Sequence, residues 1–205
     1  MTTIRSTRRH LEDQLIDCTQ RICAAGWCSG SEAKFSARVS EDRFLFTPAN
    51  IPKSALCREV LQVVDRSGTS LCGEGEGFIG QALHLEIYSR RPEIRAILQV
   101  QPPTAMGLSV AGVPLVTTFL PDAVVALGRE IPSVSYAAWS AMRVHLVASV
   151  IQNHDVVMLE HCSLLTVGAD LSAALARAEL VEHLSRVQLA AIQAGRVRAL
   201  PNVET

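Results

Sequence analysis

The stretch Ala96-Ile97-Leu98-Gln99-Val100-Gln101-Pro102-Pro103 lies midway along the chain and governs how the rest is read. Its apolar residues run without a turn signal until two prolines, which have no backbone N–H to give a ladder, so a buried strand is expected over Ile94 to Gln101. Alternate side chains of a strand share a face, which puts Gln99 and Gln101 on one side and Val100 on the other. A carboxamide offers a weakly basic oxygen and a nitrogen committed as donor, whereas a transition metal is gripped by a basic lone pair such as that of imidazole. Two amides on one face are hydrogen-bonding arms and a poor chelate.

Outward from this strand the pattern alternates between helical and extended segments. Leu11, Leu15, Cys18 and Ile22 recur at helical spacing, with Ser6 and Thr7 as candidate caps and Gly26 as the stop. Strands are expected near 35 to 39 and 43 to 47. Leu61 to Asp65 and Thr69 to Cys72 form a hairpin about Ser67-Gly68, and a helix from about Phe78 to Ser89 leads into the glutamine strand. Prolines at 102, 103, 114, 121 and 132 break up the middle. Ser140 is expected to open a helix to about Asn153, followed by strands over Val156 to Glu160 and Leu164 to Val167. Asp170 can cap a closing helix whose Leu171, Ala174, Ala178, Val181, Leu184, Val187 and Ala191 make one apolar stripe before Gly195. The expectation is one layered domain spanning residues 1–205.

Composition narrows the function. With 205 residues, 48% of them apolar, and a formal charge of −1, the chain can bury a substantial core and carries no excess charge for a nucleic-acid polyanion. Met1 to His10 holds three arginines and a histidine with no apolar segment behind them, and no apolar run approaches membrane-spanning length. A cytoplasmic protein is expected, with no nucleic-acid or membrane partner. The six cysteines, at 18, 23, 28, 57, 72 and 162, include no C-x-x-C pair and are expected to be mostly small buried hydrophobes. Cys162 stands apart because it follows His161, and a thiol near an imidazole can become a thiolate. On a strand the two would point oppositely.

From about Leu11 to Gly195 the chain resembles the class II aldolase and adducin family, which includes sugar-phosphate aldolases, pentulose-phosphate epimerases and a methylthioribulose-phosphate dehydratase. The landmarks come in the family's order: Ala24-Ala25-Gly26-Trp27, Phe35-Ser36-Ala37-Arg38, Phe44-Leu45-Phe46-Thr47-Pro48, Leu61-Gln62-Val63-Val64-Asp65, and His84-Leu85-Glu86-Ile87-Tyr88. Arg91-Pro92-Glu93-Ile94, Ile131-Pro132-Ser133-Val134-Ser135-Tyr136, Leu159-Glu160-His161 and Leu164-Leu165-Thr166-Val167-Gly168 follow. The resemblance implies an α/β fold of three αβα layers with a central, mostly antiparallel sheet, usually in a homotetramer with sites between subunits.

It also implies where chemistry would be found. Typical members hold a divalent cation on a His-x-His strand and the histidine of an Asn-His-Gly segment, and these positions are Gln99, Gln101 and His161 here. The aldolase acid/base glutamate, four residues before His84, is Gly80. Glu74 and Glu76 are nearby but sit in a glycine-rich loop of ordinary solvated type. Of the phosphate-binding positions, Lys34 stands for an asparagine, Thr47-Pro48-Ala49-Asn50 for a Thr-Pro-Ser-Gly-like turn, and Phe78 and Ile79 for paired serines. Apolar bulk cannot replace the hydration of a phosphate dianion, so a substrate without phosphate, aromatic or otherwise apolar, is expected. Lys34, one of only two lysines, could bind a carboxylate or form a Schiff base, against the usual solvated role. His84 reads as a structural histidine or a substrate neighbour, Tyr136 as a cleft residue, and His161 as the remaining general base. Gly75-x-Gly77-x-x-Gly80 matches the dinucleotide fingerprint in spacing but lacks an acid about twenty residues on.

No cofactor is expected from these residues. Two function classes remain: a metal-independent lyase or isomerase acting on a small carbonyl compound, with Gln99 and Gln101 as amide donors to a developing oxyanion, and a non-catalytic member acting through assembly or protein contacts.

Overall fold

The computed structural model describes residues 2–73, 77, 80–140 and 144–201. The helices are α1 (Thr2–Ala24), α2 (Gln81–Arg90), α3 (Pro103–Val110), α4 (Pro121–Leu127), α5 (Tyr136–Ser140), α6 (Val144–Ile151) and α7 (Leu171–Gln193). The strands are β1 (Lys34–Ser40), β2 (Arg43–Phe46), β3 (Gln62–Asp65), β4 (Ser70–Cys72), β5 (Ala96–Val100), β6 (Ser133–Val134), β7 (Val156–Leu159) and β8 (Ser163–Gly168). Among the described residues they make one eight-stranded sheet, ordered β4-β3-β2-β1-β5-β8-β7-β6. Every pairing is antiparallel except β6 with β7.

Strand alternation sorts the apolar residues into two cores, one on each face. Ala96, Leu98 and Val100 of β5 pack with Leu15, Cys18 and Ile22 of α1 and with Ala174, Ala178, Val181 and Leu184 of α7. Ile97 of the same strand joins Leu83, Ile87 and Tyr88 of α2 and Val147, Ala148 and Ile151 of α6 on the other face. The layers are therefore helix, sheet, helix, as each two-faced strand requires. β5 is central, paired to β1 through Lys34↔Gln99 and to β8 through Gln99↔Leu165.

Several local expectations are corrected. α1 begins at Thr2, ahead of Ser6 and Thr7, so neither stands at its start; the residues before Leu11 hold too few apolar positions to show a helical period. The helix expected from Ser140 to about Asn153 is described as α6, Val144–Ile151; Ser140 itself falls in α5, and residues 141–143 between the two lie outside the described residues. Of the six cysteines only Cys18 is buried, Cys57 and Cys72 being exposed on connecting or edge segments. The cap at Asp170 forms as expected, its Oδ1 accepting from Ala173 N at 2.7 Å. β4, α2 and β5 do not make the parallel βαβ unit that dinucleotide binding needs, because β4 pairs antiparallel with β3 at the sheet edge. Gly75 of that pattern lies outside the described residues.

Candidate active site

The face of β5 that carries Gln99 is covered by α2, and a buried chain of polar side chains crosses the space between them. Ser36 and His84 are fully buried, with Tyr88, Gln99 and Ser163 at most 5% exposed. Gln99 Oε1 can only accept, so His84 Nε2, 3.1 Å away, carries the proton. His84 Nδ1 then accepts from Ser36 Oγ at 2.7 Å, and Ser36 Oγ accepts from Tyr88 Oη at 2.9 Å. On the other side Gln99 Nε2 donates to Ser163 Oγ at 3.3 Å, and that hydroxyl donates to Cys162 Sγ at 3.5 Å. Burial pushes the His84 pKa down to about 3; the bond to Gln99 opposes this and the charge of Lys34 adds to it. His84 is therefore neutral, in the tautomer that the chain of bonds needs.

Gln101 lies just beyond β5, where its N–H donates to Trp27 O at 2.9 Å. Its side chain reaches the β7–β8 hairpin, Nε2 donating to Cys162 O at 2.9 Å. The hairpin turn is closed by Cys162 N donating to Leu159 O at 3.0 Å. His161 is the third residue of this turn and has φ of 57°, with its imidazole exposed. Glycine or asparagine fits such a position, and a histidine there costs about 1 kcal/mol. The ring of Tyr136 meets that of His161 edge-on, centroids 6.1 Å apart. Glu160 holds the two segments together, accepting from Ser133 Oγ at 3.1 Å and from Tyr136 N at 3.3 Å. His161 and Cys162 sit in a turn and not on a strand, so strand alternation does not separate them.

Lys34 stands across the β1–β5 ladder from Gln99, and its Nζ donates to Glu32 O at 3.4 Å. Nothing in the local pattern signals what the second lysine does. Lys53 is 1% exposed and donates to Pro48 O at 2.7 Å, tying together the turn where Asn50 has φ of 57°. Burial lowers its pKa to about 8, with Lys34 pushing in the same direction. The structure thus brings together Lys34, Gln99 and His84, and separately Gln101, His161 and Tyr136, with Ser163 and Cys162 joining the two groups. Phe78, Ile79, Glu74 and Glu76 lie outside the described residues. Ser36, Tyr88 and Ser163 were not singled out as site residues from sequence, because each reads locally as an ordinary strand or helix position.

The likeness of the chain to known proteins agrees with this geometry. The family model for the class II aldolase and adducin N-terminal domain matches residues 13–189. The chain belongs to the class II aldolase and adducin family. Among its relatives is an L-fuculose phosphate aldolase of Haemophilus influenzae, 28% identical over 92% of this chain and 86% of that protein. A methylthioribulose-1-phosphate dehydratase of Pseudomonas fluorescens is 31% identical over half of each chain. Among solved structures, YgbL of Klebsiella pneumoniae, described as a putative aldolase/epimerase/decarboxylase, superposes with a TM-score of 0.84 at 20% identity over 94% of both chains. An L-fuculose 1-phosphate aldolase of Glaciozyma antarctica gives 0.80 at 23% identity, over 98% of this chain and 80% of that one. These structural likenesses establish the class II aldolase fold.

At the positions that the resemblance assigns to a divalent cation, the residues present make a poor chelate. Gln99 Oε1 already accepts from His84 and its Nε2 donates to Ser163, and carboxamide oxygens are weak ligands beside a single imidazole. Among the described residues no group of three His, Cys, Asp or Glu side chains is arranged to hold a metal. Gly80, where the resemblance puts the acid/base glutamate, caps α2 with φ of 106°, a conformation that a glutamate would occupy only with strain. No described helix is long and apolar enough to cross a membrane.

Proposed function

We propose that this family member works without a divalent cation, as a lyase or isomerase acting on a small carbonyl compound that carries no phosphate. The observation that carries this reading is His161, whose imidazole is held out to solvent on a turn that strongly prefers glycine or asparagine. In this reading His161 takes the proton next to the substrate carbonyl, a role worth about 10²–10⁴ in rate for a well-placed base. Gln101 uses one amide hydrogen on Cys162 O and has a second for the developing oxyanion. Lys34 adds positive charge beside Gln99, for the oxyanion or for a carboxylate on the substrate. Gln99 and His84 position the strand from behind. Tyr136 and the apolar Phe78 and Ile79 favour an aromatic or apolar substrate over a sugar phosphate. The protein acts in the cytoplasm as a single domain, in a homotetramer whose subunits complete each other's sites.

The test is turnover and metal content together. A panel of aromatic and aliphatic aldols and hydroxyacids is assayed with and without chelator, alongside elemental analysis of the native protein. Turnover that persists in chelator and disappears in His161→Ala supports the proposal. Stoichiometric zinc, iron or manganese overturns it.

A second reading, a non-catalytic protein acting through assembly, is favoured by one observation. The Gln99 amide is bonded on both sides to internal partners, as expected of a brace. It predicts that His161→Ala leaves biological activity unchanged.

A further inference from the structure

Between β1, β2 and α2 lies a cavity of about 160 Å³ lined by Arg38, Phe44, Arg66, Leu85, Tyr88 and Pro92. Arg38 enters from β1 with its guanidinium carbon 5.2 Å from the ring centre of Phe44 and 4.9 Å from that of Tyr88. Its Nε donates to Ile94 O at 3.1 Å and its Nη2 to Tyr88 O at 2.7 Å. Nη1, with two hydrogens, has no acceptor among the described residues, and no acidic side chain there forms an ion pair with Arg38. Arg66 lends the cavity a second positive charge; its own ion pair, through Nε to Asp42 Oδ1 at 2.6 Å, engages one end of the guanidinium. Burial lowers the Arg38 pKa; Tyr88 and Glu41 oppose this, while the charges of Arg66 and Arg95 push the same way, so two guanidinium groups face the cavity and no carboxylate forms an ion pair with Arg38 among the described residues. A partly desolvated guanidinium with spare donors is the group that best recognises a carboxylate.

We infer that this cavity binds a small monocarboxylate, its charged end on Arg38 Nη1 and Arg66 and its apolar body against Leu85 and Phe44. The walls select the ligand class. Two arginines match one carboxylate, while the apolar ring and aliphatic surfaces offer nothing to the remaining oxygens of a phosphate. The site is separate from the His161 turn but communicates with the same core, because Tyr88, which forms one wall, donates through its hydroxyl to Ser36 and so to His84 and Gln99.

The full chain is titrated calorimetrically with benzoate, with its uncharged analogue benzamide and with inorganic phosphate. Arg66→Gln and Ser89→Glu are compared with the native protein, both being exposed positions bordering the cavity. Benzoate is expected to bind saturably and benzamide not at all. Arg66→Gln should weaken benzoate about tenfold, the ordinary worth of a charge-assisted hydrogen bond. Ser89→Glu, which places a carboxylate at the mouth, should abolish binding. Native-like melting of both variants excludes misfolding as the cause. Equal binding of benzoate and benzamide, tighter binding of phosphate, undiminished benzoate affinity in the variants, or no binding of any probe would each overturn the inference.

Discussion

Replacing Gln99 by leucine tests whether this residue is a structural brace. The two side chains are close in volume, so little of the effect comes from packing. What changes is that His84 Nε2–H, in a fully buried ring, loses its acceptor at 3.1 Å. An unsatisfied buried donor costs about 1–3 kcal/mol. Ser163 suffers less, since its hydroxyl still donates to Cys162 Sγ. The expected loss is about 2 kcal/mol, or a fall of about 4–8 °C in melting temperature for a chain of this size. Urea denaturation followed by the fluorescence of Trp27 and Trp139 measures it. His84→Phe removes the other partner; it costs Ser36 Oγ its acceptor in the single and the double variant alike, whereas the orphaned Nε2–H is absent from the double variant, which should therefore be at least about 1 kcal/mol more stable than additivity predicts. Gln101→Leu, at a partly exposed position, should cost less than Gln99→Leu. A Gln99→Leu protein within about 0.5 kcal/mol of native, or an additive cycle, refutes the brace and returns Gln99 to a ligand-contacting role.

Three further outcomes follow from individual residues. His161→Gly relieves the left-handed strain at φ of 57° and should raise stability by about 1 kcal/mol while abolishing turnover, read by parallel melting and activity assays. His84 titrates at about 3 when folded against an ordinary value of 6.5, so below 6.5 the unfolded chain binds a proton that the folded one does not. Stability should therefore fall as pH drops, by about 2 kcal/mol at pH 5, with the urea midpoint of His84→Gln falling less between pH 7 and pH 5. Asp170→Ala removes the 2.7 Å cap of α7 and should cost about 1 kcal/mol in equilibrium unfolding, without changing any ligand affinity.

The elements that the sequence revealed are those whose signal is local. β5 announces itself by an apolar run stopped at two prolines, and α7 by its stripe and its capping aspartate. α1 could be traced only from Leu11, because Ile4 is a lone apolar residue in its first two turns and no period marks them. Sheet order is a different kind of information. Nothing local says that β5 lies between β1 and β8, yet that order alone brings Ser36, His84, Gln99 and Ser163 within hydrogen-bonding distance across 127 residues of chain. Lys53 was illegible because a lysine is normally exposed, and its burial depends on carbonyls freed by the turn at Pro48 and Ile51.

The amides at the positions that the resemblance assigns to a metal have a common physical logic. A divalent cation bound by imidazoles from β5 and the β7–β8 hairpin would cross-link those elements through strong, directional bonds. The amides make the same connections with weaker ones: Gln99 joins α2 to β8, and Gln101 joins the end of β5 to the hairpin backbone. Random loss of ligands would leave cavities or orphaned polar groups there. Instead the Gln99 oxygen is matched to the one protonated nitrogen of His84, and the tautomer is fixed by Ser36 and Tyr88 behind it. A network satisfied this completely is costly to disturb at any member, which ties the identity of residue 99 to that of residue 84. Reinstating histidine at 99 would therefore set a second ring against His84, making a return to metal binding require changes at both positions.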